Sequence, residues 1–414
     1  MRSYINFHVD YDLSRTEMSE NSESKFRSIP KISVVTVGFV LLWLNFDLVR
    51  IQRKTFSTDP YLKQLRTNLK NDLLTESTNV NYNSSKTILW YFPPMYVPTD
   101  NTGKVILPKC PELKCFVTTN KTFLPESDAI VFNSQFIKGV PPARKPGQVW
   151  VFHNSEVPYY YATRRPYYRK PWSSSFNWTM TYRHDSDIFR PYGLLKRRQN
   201  VPVKNYTSIV QKKTRLVAWM VSNCADWSKR TAYVKELQKH IQVDIYGTCG
   251  KRVFGRHRNK EWVAYLNETY KFYLAFENNF CLDYITEKLF NNFNLDLVTI
   301  VRGGGNYSRD VPPNTYLNVA DFKSPKDLSD HLRYLHYNID RYIDILKQKK
   351  RYYYHNEDYR FRFRGSVYTE QHHEQEPMCD LCRRLRDITR YRKTIPDIVP
   401  WWKNGLCRKP RTYM

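Results

Sequence analysis

Polar and apolar positions change character several times along the chain. Residues 1–31 are polar, whereas Ile32 to Phe46 (ISVVTVGFVLLWLNF) is almost wholly apolar and reaches Val49 if Asp47 is tolerated. Residues 50–85 are polar again, rich in Asn, Ser, Thr and Lys. From residue 86 short apolar runs recur: ILWYF (88–92), CFVTT (115–119), AIVF (129–132) and VWVFH (149–153). Their length and their β-branched and aromatic content predict strands. A Pro/Tyr/Arg-rich stretch at 157–172 predicts a loop.

Beyond about residue 205, strand-like runs alternate with helical spacing. RLVAWMV (215–221) predicts a strand, and Ser228 a cap for a helix reaching His240. IQVDIY (241–246), KFYLAFE (271–277), LVTIV (297–301) and YLNV (316–319) predict further strands, with a helix at ITEKLFNNFN (285–294). Ser324-Pro325-Lys326-Asp327 opens a long helix in which Leu328, Leu332, Leu335, Ile339 and Ile343 share one face. Such alternation implies α/β layering, and two blocks imply two domains with a cleft between them. The expected organisation is a tail (1–31), a membrane anchor (32–49), a stem (50–85), α/β domains at 86–205 and 206–355, and a C-terminal segment (356–414).

The apolar run is short against the roughly 20 residues that span a bilayer. It suits the thinner membranes of the early secretory pathway. Residues 1–31 are long for a cleaved signal, and no small-residue cleavage site follows, so an uncleaved anchor is expected. Flanking charge (Lys25, Arg27, Lys31 against Arg50, Arg53, Lys54) leaves the orientation open. All eight cysteines lie beyond the run, as do the sequons at Asn83, Asn120, Asn177, Asn205, Asn267 and Asn306. An even cysteine count without zinc spacing fits disulfides in an oxidising lumen. The expected topology is type II, with a lumenal body.

Lys and Arg number 66 against 39 Asp and Glu, a formal net charge of +27, and the excess lies beyond residue 30. That balance implies an anionic partner: nucleic acid, a lipid surface or a phosphorylated small molecule. No nucleic-acid module accompanies it, so no nucleic-acid partner is expected. A hydrophobic fraction of 41% excludes a mainly disordered chain.

Three strand ends carry candidate chemistry. At and after the end of 271–277 come Glu277, Asn278, Asp283, Tyr284, Thr286, Glu287 and Lys288. Ligands of α/β sheets bind beyond strand carboxyl ends, and a lysine in a first helical turn opposes the helix dipole but can grip phosphate. After 215–221 come Ser222 and Asn223, then Arg230 and Tyr233, again a turn with a cation. After 149–153 comes Glu156, a carboxylate placed as a general base. Each group has a plainer reading as turn residues and solvated charge. Asp185-Ser-Asp187 is a D-x-D, which in some glycosyltransferases holds a metal, but it ends no apolar strand. Cys379-Asp-Leu-Cys382 lacks a second pair or nearby histidines, so zinc is not expected. Gly303-Gly-Gly-Asn306 lacks a P-loop lysine and reads as a tight loop.

Taken together, these residues resemble the α-(1,3)-fucosyltransferases over roughly 86–385. The resemblance is carried by Phe176-Asn-Trp-Thr-Met-Thr-Tyr-Arg-His-Asp-Ser-Asp187, Val221-Ser-Asn223, Phe276-Glu-Asn278, Asp283-Tyr-Ile-Thr-Glu-Lys288, Ala320-Asp-Phe-Lys-Ser-Pro325 and the late CxxC. It implies a type II Golgi enzyme of GT-B fold: two Rossmann-type α/β domains facing across a cleft. It implies a GDP-fucose site of Ser222, Asn223, Arg230, Tyr273, Asn278, Tyr284, Glu287 and Lys288, with Arg230 and Lys288 on the diphosphate and Glu156 as base. It makes Asp185 and Asp187 structural and no divalent metal essential. It pairs Cys379 and Cys382 with Cys110 and Cys115, which packs the C-terminal segment on the first domain. Cys224 and Cys249, at adjacent strand ends, are expected to bridge; partners of Cys281 and Cys407 stay open.

Thr299 and Arg302 depart from the family pattern beside the donor residues, which motivates an alternative: a catalytically inactive lumenal glycan-binding homologue. The acceptor stays open between the core N-acetylglucosamine of N-glycans and outer-branch lactosamine types. Gln242-Val-Asp-Ile-Tyr-Gly247-x-Cys249 looks nearer to the core-modifying branch.

Overall fold

The apolar runs assemble into two mainly parallel sheets. The computed structural model describes residues 84–93, 104–107, 110–158, 166–224, 227–251, 254, 260–354, 377–404 and 406–410. The expected tail, the anchor at 32–49, nearly all of the stem, and Asn83 lie outside the described residues. Among the described residues, no helix is long and apolar enough to cross a membrane.

The first sheet has seven strands: β1 (Lys86–Trp90), β2 (Val105–Ile106), β3 (Cys115–Thr118), β4 (Ala129–Asn133), β5 (Val149–Asn154), β6 (Trp178–Thr181) and β7 (Ile188–Phe189). Their order is β2-β3-β1-β4-β5-β6-β7, parallel throughout except for β2 against β3. Successive side chains alternate between faces. Leu89, Ile130, Phe132, Trp150 and Phe152 pack on one side with Trp172, Phe176 and Trp402. Ile88, Trp90, Val131 and Val151 pack on the other with Met378, Leu381 and Leu385.

Next come β8 (Leu195–Arg197), α1 (Tyr206–Gln211), β9 (Arg215–Met220), α2 (Arg230–Leu237), β10 (Val243–Tyr246), α3 (Lys260–Thr269), β11 (Tyr270–Phe276), α4 (Glu287–Phe293), β12 (Val298–Arg302), α5 (Tyr307–Asp310), β13 (Tyr316–Asn318), α6 (Pro325–Tyr337) and α7 (Ile339–Lys350). The second sheet is parallel, in the order β10-β9-β11-β12-β13. Its central strand β11 is buried at every residue, as a parallel strand covered on both faces must be. Phe272, Leu274 and Phe276 meet α2, α6 and α7. Tyr273 and Ala275 meet α3 and α4. The chain closes with β14 (Tyr352–Tyr354), antiparallel to β8, then α8 (Pro377–Arg386), α9 (Ile388–Tyr391) and α10 (Ile398–Lys403).

Two expected helices differ from their sequence signals. Ser228 does not cap α2: Lys229, at φ 54°, precedes the helix. Ser228 is fully buried, and its N–H donates to Asn278 O. The long helix from Ser324 is two helices, because Asn338 ends α6 and starts α7. Its Nδ2 donates to Tyr334 O, the local bonding by which Asn competes with a continuous helix. Ser324 does cap α6, accepting from Asp327 N at 3.1 Å.

Disulfides tie the end of the chain to both sheets. Cys379 and Cys382, one turn apart on α8, bond Cys110 and Cys115. Cys224–Cys249 joins the loops after the neighbouring strands β9 and β10. Cys281 bonds Cys407, flanked by Leu282 N donating to Leu406 O (2.7 Å) and Arg408 N donating to Phe280 O (2.8 Å). The C-terminal segment therefore packs beyond the first sheet and reaches the loop after β11.

Candidate active site

In the second sheet the chain leaves β9 toward one edge and β11 toward the other. The crevice beyond the carboxyl ends at such a reversal is where α/β sheets take ligands. A cavity of about 290 Å³ opens there. It is lined by Ser222 and Asn223 after β9, Arg230 on α2, Tyr273 on β11, Asn278 and Tyr284 after β11, and Glu287 and Lys288 on α4. Glu156, from the loop after β5, lines the same cavity. Met220, Val221, Trp262, Asn291 and Asn292 complete it.

Glu156 is set by a turn. Asn154 ends β5, and its Oδ1 accepts from Glu156 N at 2.8 Å. The Glu156 carboxylate then meets two phenols: Tyr284 donates to Oε2 at 2.9 Å, and Tyr192 lies 3.4 Å from Oε1. Burial raises the Glu156 pKa. The Tyr284 hydrogen bond opposes that rise, Glu287 adds to it, and Lys288 and Tyr192 oppose it.

Lys288 is anchored from below. Its Nζ lies 3.1 Å from Glu277 Oε2, 2.8 Å from Thr286 Oγ and 3.2 Å from Glu287 Oε1. Burial disfavours the ammonium, but the two glutamates outweigh it and hold its pKa above the usual lysine range. Glu277, 1% exposed, also accepts from Thr286 N at 2.8 Å. Burial raises its pKa against the pull of Lys288.

Arg230 is buried, and its Nη atoms donate to Phe276 O (2.9 Å) and Asn223 O (3.0 Å). It therefore joins the ends of β9 and β11 as well as lining the cavity. Ser222 and Asn223 are exposed at the mouth. Thr299 and Arg302 stand outside the lining. Thr299 is buried opposite Tyr273 in the β11–β12 register. Arg302 is 1% exposed, lies over the rings of Phe280 and Tyr233, and donates to Ser228 O at 2.7 Å. It thus braces the turn leading into α2. The glycine loop is tight for a steric reason: a Cβ on Gly304 would come within 2.6 Å of Cys281 N.

The D-x-D carboxylates serve the first sheet. Asp187 Oδ2 accepts from Thr179 N at 2.8 Å and pairs through Oδ1 with Lys393. Asp185 pairs with Arg183 and accepts from Trp401 Nε1 at 3.1 Å. Among the described residues no group of His, Cys, Asp and Glu forms a metal-binding cluster. Of the sequons, Asn120, Asn205 and Asn306 cap helical turns through Oδ1, and Asn205 and Asn306 are exposed. Asn177 and Asn267 are half-buried; Asn177 Nδ2 donates to Lys393 O at 2.7 Å, and Asn267 Oδ1 accepts from Asp296 N.

Two site residues had no assigned role from sequence. Tyr192 lies in a loop without periodicity. Glu277 stands in the Phe-Glu-Asn motif, where its spacing to Lys288 gave no sign that the two would pair.

Residues 210–401 match the family described as glycosyltransferase family 10 (fucosyltransferase), C-terminal, and residues 83–193 match the fucosyltransferase N-terminal family. The chain belongs to the family 10 fucosyltransferases. This fucosyltransferase is 34% identical over 326 residues to α-(1,3)-fucosyltransferase C of Drosophila melanogaster, covering 72% of this chain and 71% of the relative. It is 34% identical over 329 residues to a 4-galactosyl-N-acetylglucosaminide 3-α-L-fucosyltransferase of Gorilla gorilla gorilla, covering 76% and 79%. A crystal structure of an α1,3-fucosyltransferase with GDP overlays it with a TM-score of 0.47 at 16% identity, over 73% of this chain and 90% of the other.

Proposed function

We propose that this fucosyltransferase is an inverting α-(1,3) enzyme that moves L-fucose from GDP-β-L-fucose to the 3-hydroxyl of an N-acetylglucosamine in a glycoprotein glycan. One observation carries the reading: a carboxylate from the first sheet and strand-end cations from the second line one cavity. Opposed groups of this kind suit displacement at an anomeric carbon, and they fit the GT-B arrangement.

In this mechanism the acceptor 3-oxygen forms a bond to the anomeric carbon as the bond to the β-phosphate oxygen breaks. The hydroxyl proton passes to Glu156. Such base assistance contributes on the order of 10²–10⁴ in rate. Charge growing on the leaving GDP is met by Lys288 and Arg230, preorganised at the strand ends of the second sheet. Tyr284 and Tyr192 orient the base.

The inactive glycan-binding alternative finds no support. Every residue assigned to the donor site lines the cavity, and Thr299 and Arg302, which motivated that alternative, stand outside it. The relatives carry enzyme names.

The reading includes a Golgi membrane location, single-pass type II, supported by the apolar run at 32–49 and by the cysteines and sequons beyond it. Transfer from GDP-fucose to a panel of core and outer-branch acceptors, with product linkage analysis, tests the activity. No product on any acceptor overturns it. An endoglycosidase mass shift in protein from microsomes, with the body shielded from protease, tests the topology.

A further inference from the structure

Glu277 poses a problem of charge. It lies beneath the cavity at 1% exposure, so water does not screen its carboxylate. Its nearest counter-charge is Lys288 Nζ, 3.1 Å from Oε2. Lys288 is also the cation assigned to the donor's diphosphate, and one ammonium cannot fully serve both anions.

The neighbours of Glu277 do not replace Lys288. From α4, Glu287 adds negative charge. From the loop before α4, Tyr284 is a buried neutral phenol, as is Tyr307 on α5. From β12, Arg302 contributes its carbonyl to Glu277 N at 2.9 Å, while its guanidinium donates to Ser228 O. From α2, Arg230 donates to Phe276 O and Asn223 O. Glu156 and Glu287 already bring negative charge to the lining that a diphosphate would join. Glu287 is 37% exposed at its side chain and is solvated where it stands; Glu277 is not.

A proton has a place to go. Thr286 Oγ now accepts from Lys288 Nζ at 2.8 Å and lies 2.9 Å from Glu277 Oε2. Once the ammonium turns away, a proton on Oε2 would donate to that same oxygen with no movement of the carboxyl. Oε1 would keep its bond from Thr286 N, at 2.8 Å.

We propose that Glu277 is a positioning residue that holds Lys288 before the donor binds and takes a proton from solvent as Lys288 turns to the diphosphate. Lys288 keeps its own proton throughout. The proposal rests on the reading of Lys288 as the diphosphate's cation. Burial of a carboxylate that has lost its cation favours the neutral acid. Protons taken up on binding make affinity fall as pH rises, by about tenfold per pH unit for one proton.

The test is calorimetric titration of the full chain in detergent with GDP-fucose, without acceptor, at neutral pH in buffers of different ionisation enthalpy. Both phosphates of this donor are esterified, so neither contributes a proton near neutrality. Wild type is expected to take up about one proton per donor bound. Glu156→Gln should retain that uptake. Glu277→Gln, which mimics the protonated acid, should abolish it, and its donor affinity should stop falling with pH. At alkaline pH it should bind at least as tightly as wild type, whereas a merely structural Glu277 would lose affinity at every pH. If Glu277→Gln does not fold, Lys288→Met should show weak binding with no uptake, because Glu277 is then already protonated. Binding without uptake in wild type overturns the proposal, as does uptake that survives Glu277→Gln or vanishes in Glu156→Gln. No donor binding by wild type would overturn the donor-site reading beneath it as well.

Discussion

Tyr284 and Glu156, 128 positions apart, share a hydrogen bond of 2.9 Å that joins the loop after β11 to the loop after β5. The phenol stabilises the charged carboxylate, and so works against the rise in pKa that burial imposes on Glu156. A general base acts only when deprotonated. Tyr284→Phe should therefore raise the Glu156 pKa and move the acid limb of the kcat profile to higher pH. Turnover measured across pH on this variant checks the direction; an unmoved limb would detach Glu156 from the rate-limiting proton transfer.

Glu156→Gln keeps the shape and the phenol contacts but cannot accept a proton. Turnover should fall by about 10²-fold or more. GDP affinity should change little, since the donor cations stand on the other sheet. Near-normal turnover would leave Glu156 as a loop-positioning residue only.

Arg230 and Lys288 each join a structural contact to a donor role, Lys288 through the buried Glu277 carboxylate. Both alanine variants should bind GDP and GDP-fucose more weakly. Arg230→Ala should also melt lower, because it strands the carbonyls of Phe276 and Asn223 at about 1–3 kcal/mol for each buried unpaired group. An Arg230→Ala protein with full thermal stability and full GDP affinity would contradict both assignments.

Chelation should leave turnover intact. Asp185 and Asp187 already receive Arg183, Trp401, Thr179 and Lys393, so neither carboxylate is free to leave the first sheet. A complete loss of activity with EDTA, restored by a divalent ion, would move these two residues into the active site.

Glycopeptide mapping should find glycan on Asn205 and Asn306, which are exposed and cap their helices through Oδ1. Asn177 should be bare, because the amide nitrogen that would carry the sugar donates to Lys393 O at 2.7 Å. A fully occupied Asn177 would mean that modification precedes this contact.

Local patterns made much of the fold legible. The unbroken apolar run of β11 and the Ser324-Pro325 start of α6 each follow from a few adjacent residues. What depended on distant partners stayed hidden. Ser228 has the chemistry of a helix cap, but its N–H is claimed by Asn278 O and its carbonyl by Arg302. Asn338 interrupts a helix whose apolar spacing runs straight through it. In the site, motif residues marked the cavity lining, but Tyr192 and the pairing of Glu277 with Lys288 could not be read, because burial decides both and spacing encodes neither.

The order in which the ribosome delivers the chain gives the C-terminal segment a second meaning. Strands β1 to β7 emerge first, yet the face made by Ile88, Trp90, Val131 and Val151 is covered by Met378, Leu381 and Leu385 of α8. Cys110 waits 269 residues for Cys379. Until α8 has been made, the earliest sheet carries one bare apolar face and two unpaired thiols, Cys110 and Cys115. A stop codon shortly before residue 377 would leave all of the active-site residues synthesised on a body whose first sheet keeps that face uncovered.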